Sequence, residues 1–330
     1  MTLRDAAAKR GLLIGTCISA AALTEPDYVE VAGREFNQAE PENEMKFGVI
    51  HPRRDTNPNP YDFSGADAIV EFALQHNMKA RGHCFVWHSQ VGDWVTSTSH
   101  TPDELSKVLD SHIQTVASRY AGKVYAWDVV NEAFEEDGSL RHTVWYDEPG
   151  IGLAENGTAY IEQSFRWARQ YDPSTALYYN DYSCDTINPK SDAVYEMVKD
   201  FKTRNVPIDG VGFQMHLHLD SNNPATLESI KQNLQRFADL DIDVQITEMD
   251  VALESPDEDS LAQQAEIYRA IFEICLGIPR VTAIQTWGFT DKHSWIPGFT
   301  KGQKGWALLL DEHYAVKPAY TRILETLQAS

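Results

Sequence analysis

Apolar positions along the chain fall into two alternating patterns. Short runs rich in Val, Ile, Leu and aromatic residues, each about five residues long and closed by a polar or aromatic cluster, alternate with longer stretches in which apolar positions return every three or four residues. The short runs suit strands covered on both faces and the longer ones suit helices with one buried stripe, so the alternation predicts βα units around a parallel sheet. Eight candidate strands can be placed, at residues 12–17, 40–45, 79–87, 124–130, 176–180, 210–215, 243–247 and 281–286. The chain has 330 residues, above the ~250 typical of such a barrel, and no Pro/Gly/Ser-rich linker divides it. The expected fold is therefore α/β, a single-domain (β/α)8 TIM barrel spanning residues 1–330.

The clearest helix opens at Thr101-Pro102-Asp103-Glu104, where Thr101 can cap, Pro102 suits the first turn and Glu104 completes a capping box. Leu105, Val108, Leu109, Ile113, Val116 and Tyr120 form its apolar stripe, and Gly122 is placed to end it. Leu227, Ile230, Leu234 and Phe237 make a second stripe, and Leu261, Tyr268, Ile271, Phe272 and Cys275 a third. All three are expected to be core.

In a (β/α)8 barrel, residues from several strands converge at the C-terminal face, above a packed interior. The strand ends here carry Glu42, Asn43 and Lys46 at the second, His83, Trp87 and His88 at the third, and Asn131 and Glu132 at the fourth. Asn180, Asp181 and Tyr182 follow at the fifth, Gln214 and His216 at the sixth, Glu248 and Asp250 at the seventh, and Trp287 at the eighth. Amides and carboxylates suit hydroxyl groups and flat aromatics suit sugar faces, so the rim reads as a carbohydrate site.

Charge narrows the partners further. The 49 acidic and 28 basic side chains give a formal charge of −21, which repels nucleic acid and anionic membrane surfaces. No stretch is long enough for a transmembrane helix. Cys17, Cys84, Cys184 and Cys275 show neither a C-x-x-C pair nor a zinc-type spacing, so no metal or other cofactor is expected. Arg4, Lys9 and Arg10 ahead of the apolar run 11–23 invite a signal-peptide reading, but a first barrel strand over 11–17 fits the repeat of strands better.

Hydrolysis of an acetal needs a proton on the departing oxygen and a nucleophile or stabiliser at the anomeric carbon, which two carboxyl groups in different protonation states supply. Glu132 and Glu248 each follow an apolar run and one small polar residue, on strands that face one another across a barrel mouth. Asp128, Glu42 and Asp250 also occupy strand ends, and spacing alone leaves them as alternatives.

Trp127-Asp128-Val129-Val130-Asn131-Glu132 and Ile246-Thr247-Glu248-Met249-Asp250 resemble the two catalytic signatures of the family 10 glycoside hydrolases, the (β/α)8 xylanases with catalytic glutamates on strands four and seven. Glu42-Asn43-Glu44-Met45-Lys46, Arg81-Gly82-His83 with Trp87-His88-Ser89-Gln90, Gly212-Phe213-Gln214-Met215-His216, and Gln285-Thr286-Trp287-Gly288 with Ser294-Trp295 resemble the family's remaining motifs, in the family's order. The resemblance covers residues 11–320.

It implies a retaining endo-β-1,4-xylanase acting on xylan and xylo-oligosaccharides, a monomer without a cofactor. By the resemblance, Glu132 is the general acid/base, which must stay protonated until the bond breaks, and Glu248 is the nucleophile. His216, backed by Asp250, orients Glu248, and Asn131 holds the 2-hydroxyl of the reacting sugar. Lys46, His83, Trp87 and Gln214 line that sugar's site, and Glu42 and Asn43 bind the next sugar toward the non-reducing end. Trp287 and Trp295 close over both, and Tyr182 offers a stacking surface on the leaving-group side. Trp127 is expected in the core and His88 and His218 as structural hydrogen-bonders, while Trp94, Trp145, Trp167 and Trp306 receive no role. Two departures from the pattern stand out: Val281 occupies the place of a common second cysteine, so no disulfide to Cys275 is expected, and Cys84 stands where a threonine is common.

Three other readings compete. The His216-x-His218 pair with Asp250 invites a metal-dependent amidohydrolase, but such enzymes carry that motif on the first strand, where this chain has no histidine. A catalytically dead carbohydrate-binding barrel conflicts with the presence of both glutamates. A β-1,4-glucanase of the same clan differs only in substrate preference. Polymeric xylan cannot enter a cell, so action outside it is expected, with a cytoplasmic enzyme fed by imported oligosaccharides as the alternative.

Overall fold

The computed structural model describes every residue except 55, 57 and 330. The strands are β1 (Leu13–Ile18), β2 (Gln38–Pro41), β3 (Lys79–Val86), β4 (Val124–Asn131), β5 (Ala176–Asp181), β6 (Gly210–Phe213), β7 (His216–His218), β8 (Asp243–Ala252) and β9 (Val281–Thr286). Neighbours pair in parallel from β1 through β6, then β6 pairs with β8, β8 with β9, and β9 with β1, which closes an eight-stave barrel. The short β7 continues the sixth stave above the rim and pairs with the extended end of β8, His216 opposite Asp250.

Helices cover the outside, and many start on the same device. Pro26, Pro102, Pro189, Pro224 and Pro318 each sit in a first turn, where the missing N–H costs nothing and the fixed φ favours the helix. In the helix Pro102–Tyr120 the expected capping box forms, Glu104 N–H donating to Thr101 Oγ1 (3.3 Å) and Thr101 N–H to Glu104 Oε2 (2.7 Å). Trp127 points outward into this shell, fully buried and stacked on Phe85 at 4.2 Å, so its expected place in the core holds. A side chain at Gly82 would meet its ring at 2.2 Å, which explains a glycine in the middle of β3.

Several boundaries differ from the expectation, and β8 runs on to Ala252 rather than ending at 247. The second strand is Gln38–Pro41 rather than 40–45, because its inward side chains are polar and hide it from a search for apolar runs: Gln38 donates to Gln285 (2.8 Å) and Glu40 accepts from Arg81 (2.6 Å). Residues beyond Pro41 turn away because Glu44 accepts from the N–H groups of Ala20 (2.7 Å) and Asn43 (3.0 Å). The sixth strand breaks after Phe213, where Met215 takes a φ of 60°, and resumes at His216. The region read against a signal peptide holds both the expected β1 and an unexpected helix, Leu3–Lys9. That helix is capped by Thr2 and buries Leu3, Ala6 and Ala7, and Arg4 donates to the carbonyls of Gly33, His76 and Asn77. The four cysteines are buried free thiols.

Candidate active site

Beneath the barrel mouth the interior is polar. Arg81 is fully buried and donates to Asp128 through both terminal nitrogens (2.5 and 2.6 Å), to Glu40 (2.6 Å) and to Gln245 (3.0 Å). Glu40, Asp128 and His83 offer ligand atoms within 4.8 Å of one another, but the Arg81 guanidinium already serves both carboxylates as their cation. Burial would raise Asp128, but the Arg81 charge and the bonds from His83 and Arg81 hold its carboxyl below the usual carboxylate range. Asp128 also meets His83 Nδ1 at 2.8 Å. Burial opposes a charge on that imidazole, yet the bond to Asp128 and the nearby Glu40 carry it above its ordinary value. His83 links this array to the cavity above, which it lines.

Above this floor is one cavity of about 710 Å³. Glu42, Asn43, Lys46, His83, Trp87, Asn131, Glu132, Tyr182, Gln214, His216, Glu248, Trp287 and Trp295 all line it, so every site residue expected from the sequence is brought to one place. His88 and His218, expected to be structural, face the same cavity.

Glu248 projects from β8. Its Oε2 lies 3.0 Å from His216 Nε2, and His216 Nδ1 lies 3.0 Å from Asp250 Oδ2. Burial would raise Glu248, but the hydrogen bond from His216 and the charges of His83 and His216 outweigh it and hold the carboxylate below its ordinary range. His216 itself is pushed well up despite its burial, because Asp250 and Glu248 flank it, so it donates from both nitrogens. Trp295 Nε1 donates to the same Asp250 oxygen (2.9 Å), which ties the indole to the array.

Glu132 lies one residue past β4 at a φ of 57°, a left-handed conformation that costs a non-glycine residue roughly 1–2 kcal/mol and turns its side chain off the strand line. Its N–H donates to Asn180 O (2.9 Å) and its carbonyl accepts from Arg141 Nε (3.0 Å), which hold the turn. Each carboxyl oxygen meets a neutral donor, Oε2 from Trp87 Nε1 (2.8 Å) and Oε1 from Gln214 Nε2 (2.9 Å). The two glutamates are joined by amides. Gln214 Nε2 also donates to Asn131 Oδ1 (3.2 Å), and Asn180 Nδ2 donates to both Asn131 Oδ1 (2.9 Å) and Glu248 Oε1 (2.9 Å). The opposite orientation of the Asn131 amide would bring its Oδ1 to Trp87 Nε1 at 3.3 Å, but would set its NH2 against these two NH2 groups. Because Asn180 Nδ2 is fixed by Glu248 and Thr247 Oγ1 donates to Asn180 Oδ1 (2.6 Å), the orientation that accepts from both amides is the consistent one.

At the strand-two side, Lys46 Nζ donates to Asn43 Oδ1 (2.8 Å) and lies 4.8 Å from the Trp87 ring and 5.9 Å from Trp287. Burial pushes Glu42 up to about 7, with Lys46 opposing. On the far side Tyr182 is held by Arg141, which donates to its hydroxyl (2.9 Å), and by the buried Lys190, 3.5 Å from its ring centre. Asn180, Arg141 and Lys190 were not singled out as site residues. Asn180 was visible at a strand end, whereas Arg141 and Lys190 lie outside the strand ends and carry no such signal. Trp145, given no role, is buried and donates to Trp87 O (3.1 Å), so it fixes the indole that contacts Glu132.

A family model described as glycosyl hydrolase family 10 matches residues 2–326. The chain is 45% identical to endo-1,4-beta-xylanase B of Thermotoga neapolitana, over 99% of this chain and 91% of that protein. It is 38% identical to an endo-1,4-beta-xylanase of Agaricus bisporus, over 94% and 90%. Among solved structures, native xylanase 10B from Thermotoga maritima superposes with a TM-score of 0.92 at 46% identity, over 99% of this chain and 98% of that one. Xylanase 10B from Thermotoga petrophila in complex with xylobiose gives 0.92 at 47%, over 99% and 97%. A barrel with carboxylates on its fourth and seventh staves, and a match of this extent, place the chain in glycosyl hydrolase family 10.

Proposed function

We propose that this chain is a retaining endo-β-1,4-xylanase that cleaves internal bonds of xylan by double displacement. The observation that carries the reading is the pair of carboxyl groups on opposite staves, joined through Gln214, Asn131 and Asn180 but set in unlike surroundings. Glu248, kept ionised by His216, attacks the anomeric carbon, while Glu132 protonates the departing oxygen and later takes a proton from water. Asn131, whose Oδ1 is taken by two amides, has its NH2 left for the sugar 2-hydroxyl. Lys46, His83, Trp87 and Gln214 hold the reacting sugar, and Glu42 and Asn43 its non-reducing neighbour. Trp287 and Trp295 cover both and exclude a hydroxymethyl group, and Tyr182 receives the leaving sugar.

The similarity to xylanases supports xylan over cellulose, and the identity with the three Thermotoga proteins supports it most. No helix among the described residues is long and apolar enough to cross a membrane. We place the enzyme's work outside the cell, where polymeric xylan is. The test is a panel of xylan, xylo-oligosaccharides and soluble cellulose, with proton NMR of the first-formed product. Faster cleavage of xylan with initial β-anomer is expected; an initial α-anomer overturns the mechanism, and equal or faster cleavage of cellulose overturns the substrate assignment in favour of a β-1,4-glucanase.

A further inference from the structure

Three aromatic side chains follow one another along the segment after β9. Trp287 is nearest the strand-two side, 5.5 Å from the His83 ring and 5.9 Å from Lys46 Nζ. Trp295 comes next, edge-on to His216 at 5.0 Å. Beyond it, at the end of the short helix Ile296–Phe299, the Phe299 ring lies 4.7 Å from Trp295 at a tilt of 44°. Phe299 is 73% exposed, more than any other large apolar side chain among the described residues, and it lines the substrate cavity. A phenyl ring left in water contributes little to folding, so its place at the cleft calls for another account.

We infer that Phe299 is a stacking platform for a xylosyl unit on the leaving-group side of the cleaved bond. The inference rests on the xylanase reading above. The side follows from the order of the three rings: the series starts at Lys46, in the cluster assigned to the non-reducing sugars, passes the nucleophile's partner His216, and ends at Phe299. Tyr182 and His218, from the segments after β5 and β6, line the same cavity. A xylopyranose ring has no hydroxymethyl group and presents flat C–H faces, so a neutral ring can hold it without a charged partner and without fixing its hydroxyls. Phe299 is therefore a specificity residue for chain length rather than a catalytic one.

The test compares two substrates that share the non-reducing sugars. Xylohexaose places sugars on the leaving-group side, whereas β-xylobiosyl fluoride leaves that side empty. In Phe299→Ala, kcat/KM on xylohexaose should fall roughly tenfold, a stacking contact's worth, and that on the fluoride should be unchanged. Phe299→Trp should restore the first value. Equal losses on both substrates, or no loss on either, overturn the inference. If instead the unmodified protein is inactive on both substrates, the xylanase reading fails, and the two failures are distinguishable.

Discussion

The two halves of the catalytic centre solve opposite electrostatic problems. Around Glu248 one oxygen meets His216, itself clamped between two carboxylates, the other accepts from the neutral Asn180 amide, and His83 stands over the Arg81, Glu40 and Asp128 array. The hydrogen-bond donors to Glu132 are neutral, an indole N–H and an amide N–H, with His88 Nδ1 farther off at 3.9 Å, and its side chain keeps 13% exposure against 7% for Glu248. A nucleophile must be an anion at the start of every turnover, and fixed positive charge in a buried site secures that. An acid/base must gain and lose a proton each cycle, and Trp87 and Gln214 orient Glu132 without placing a formal charge on it. This difference in charge fits the proposed roles, nucleophile for Glu248 and acid/base for Glu132.

The sharpest test of that asymmetry removes each carboxyl in turn. Glu248→Ala should lower turnover of every substrate by at least roughly 10⁴-fold, because no covalent intermediate forms without it. Glu132→Ala should act selectively. Xylan hydrolysis should fall by about 10²–10⁴-fold, while an aryl xylobioside with an acidic phenol should still give a burst of phenol followed by slow turnover. Azide, which needs no deprotonation, should then restore turnover and yield the β-glycosyl azide. Burst and rescue in the Glu248 variant instead would mean that the roles are reversed.

The positions of the two glutamates could be read before the fold was known, because each follows an apolar strand run, but spacing left other carboxylates open and their roles came from the family resemblance. What escaped was polar and buried. Gln38 and Glu40 face the barrel interior, so β2 lacks the apolar signature and its bounds shift. Arg81 was visible only as part of a motif, since nothing in a linear pattern shows that one guanidinium is shared among Glu40, Asp128 and Gln245. The helix Leu3–Lys9 is short and Ala-rich, with basic residues that imitate a targeting segment until Arg4 is seen to bind three carbonyls. Asn180 joins the two glutamates through a contact between staves, which sequence order does not contain.

A smaller effect probes the Glu248 side alone. His216→Gln removes a charged hydrogen bond from the nucleophile and should lower kcat/KM by roughly a hundredfold, consistent with the ~1.5–3 kcal/mol of such a bond. Its pH dependence carries the stronger information. Glu248 lies below its ordinary value in spite of burial, so activity should be retained above the ordinary carboxylate range and lost only as pH falls through the depressed value. Without the imidazolium, burial is opposed by less positive charge, and the acidic limb of kcat/KM should move to higher pH. A limb that stays in place while the rate falls would show that His216 acts by position and not by charge.

The smallest expected effect falls on Trp295, which donates to Asp250 and lies edge-on to His216, and whose ring is proposed to cover the sugars. Trp295→Ala should leave the order of the two glutamates' roles untouched and act mainly on substrate choice. Xylose and glucose units differ by one hydroxymethyl group, and a close-fitting wall discriminates a group of that size by about 10- to 200-fold. Removing one of two indoles should narrow the xylan over cellulose ratio by roughly tenfold while lowering activity on both, since the sugar also loses contact area. The ratio of kcat/KM for xylan and soluble cellulose reads the steric part, and the acidic limb of the same variant reads the part that passes through Asp250. A narrowed ratio with an unmoved limb makes Trp295 a wall; an unchanged ratio with a shifted limb would make it a support for the nucleophile's array and leave exclusion of the hydroxymethyl group to Trp287.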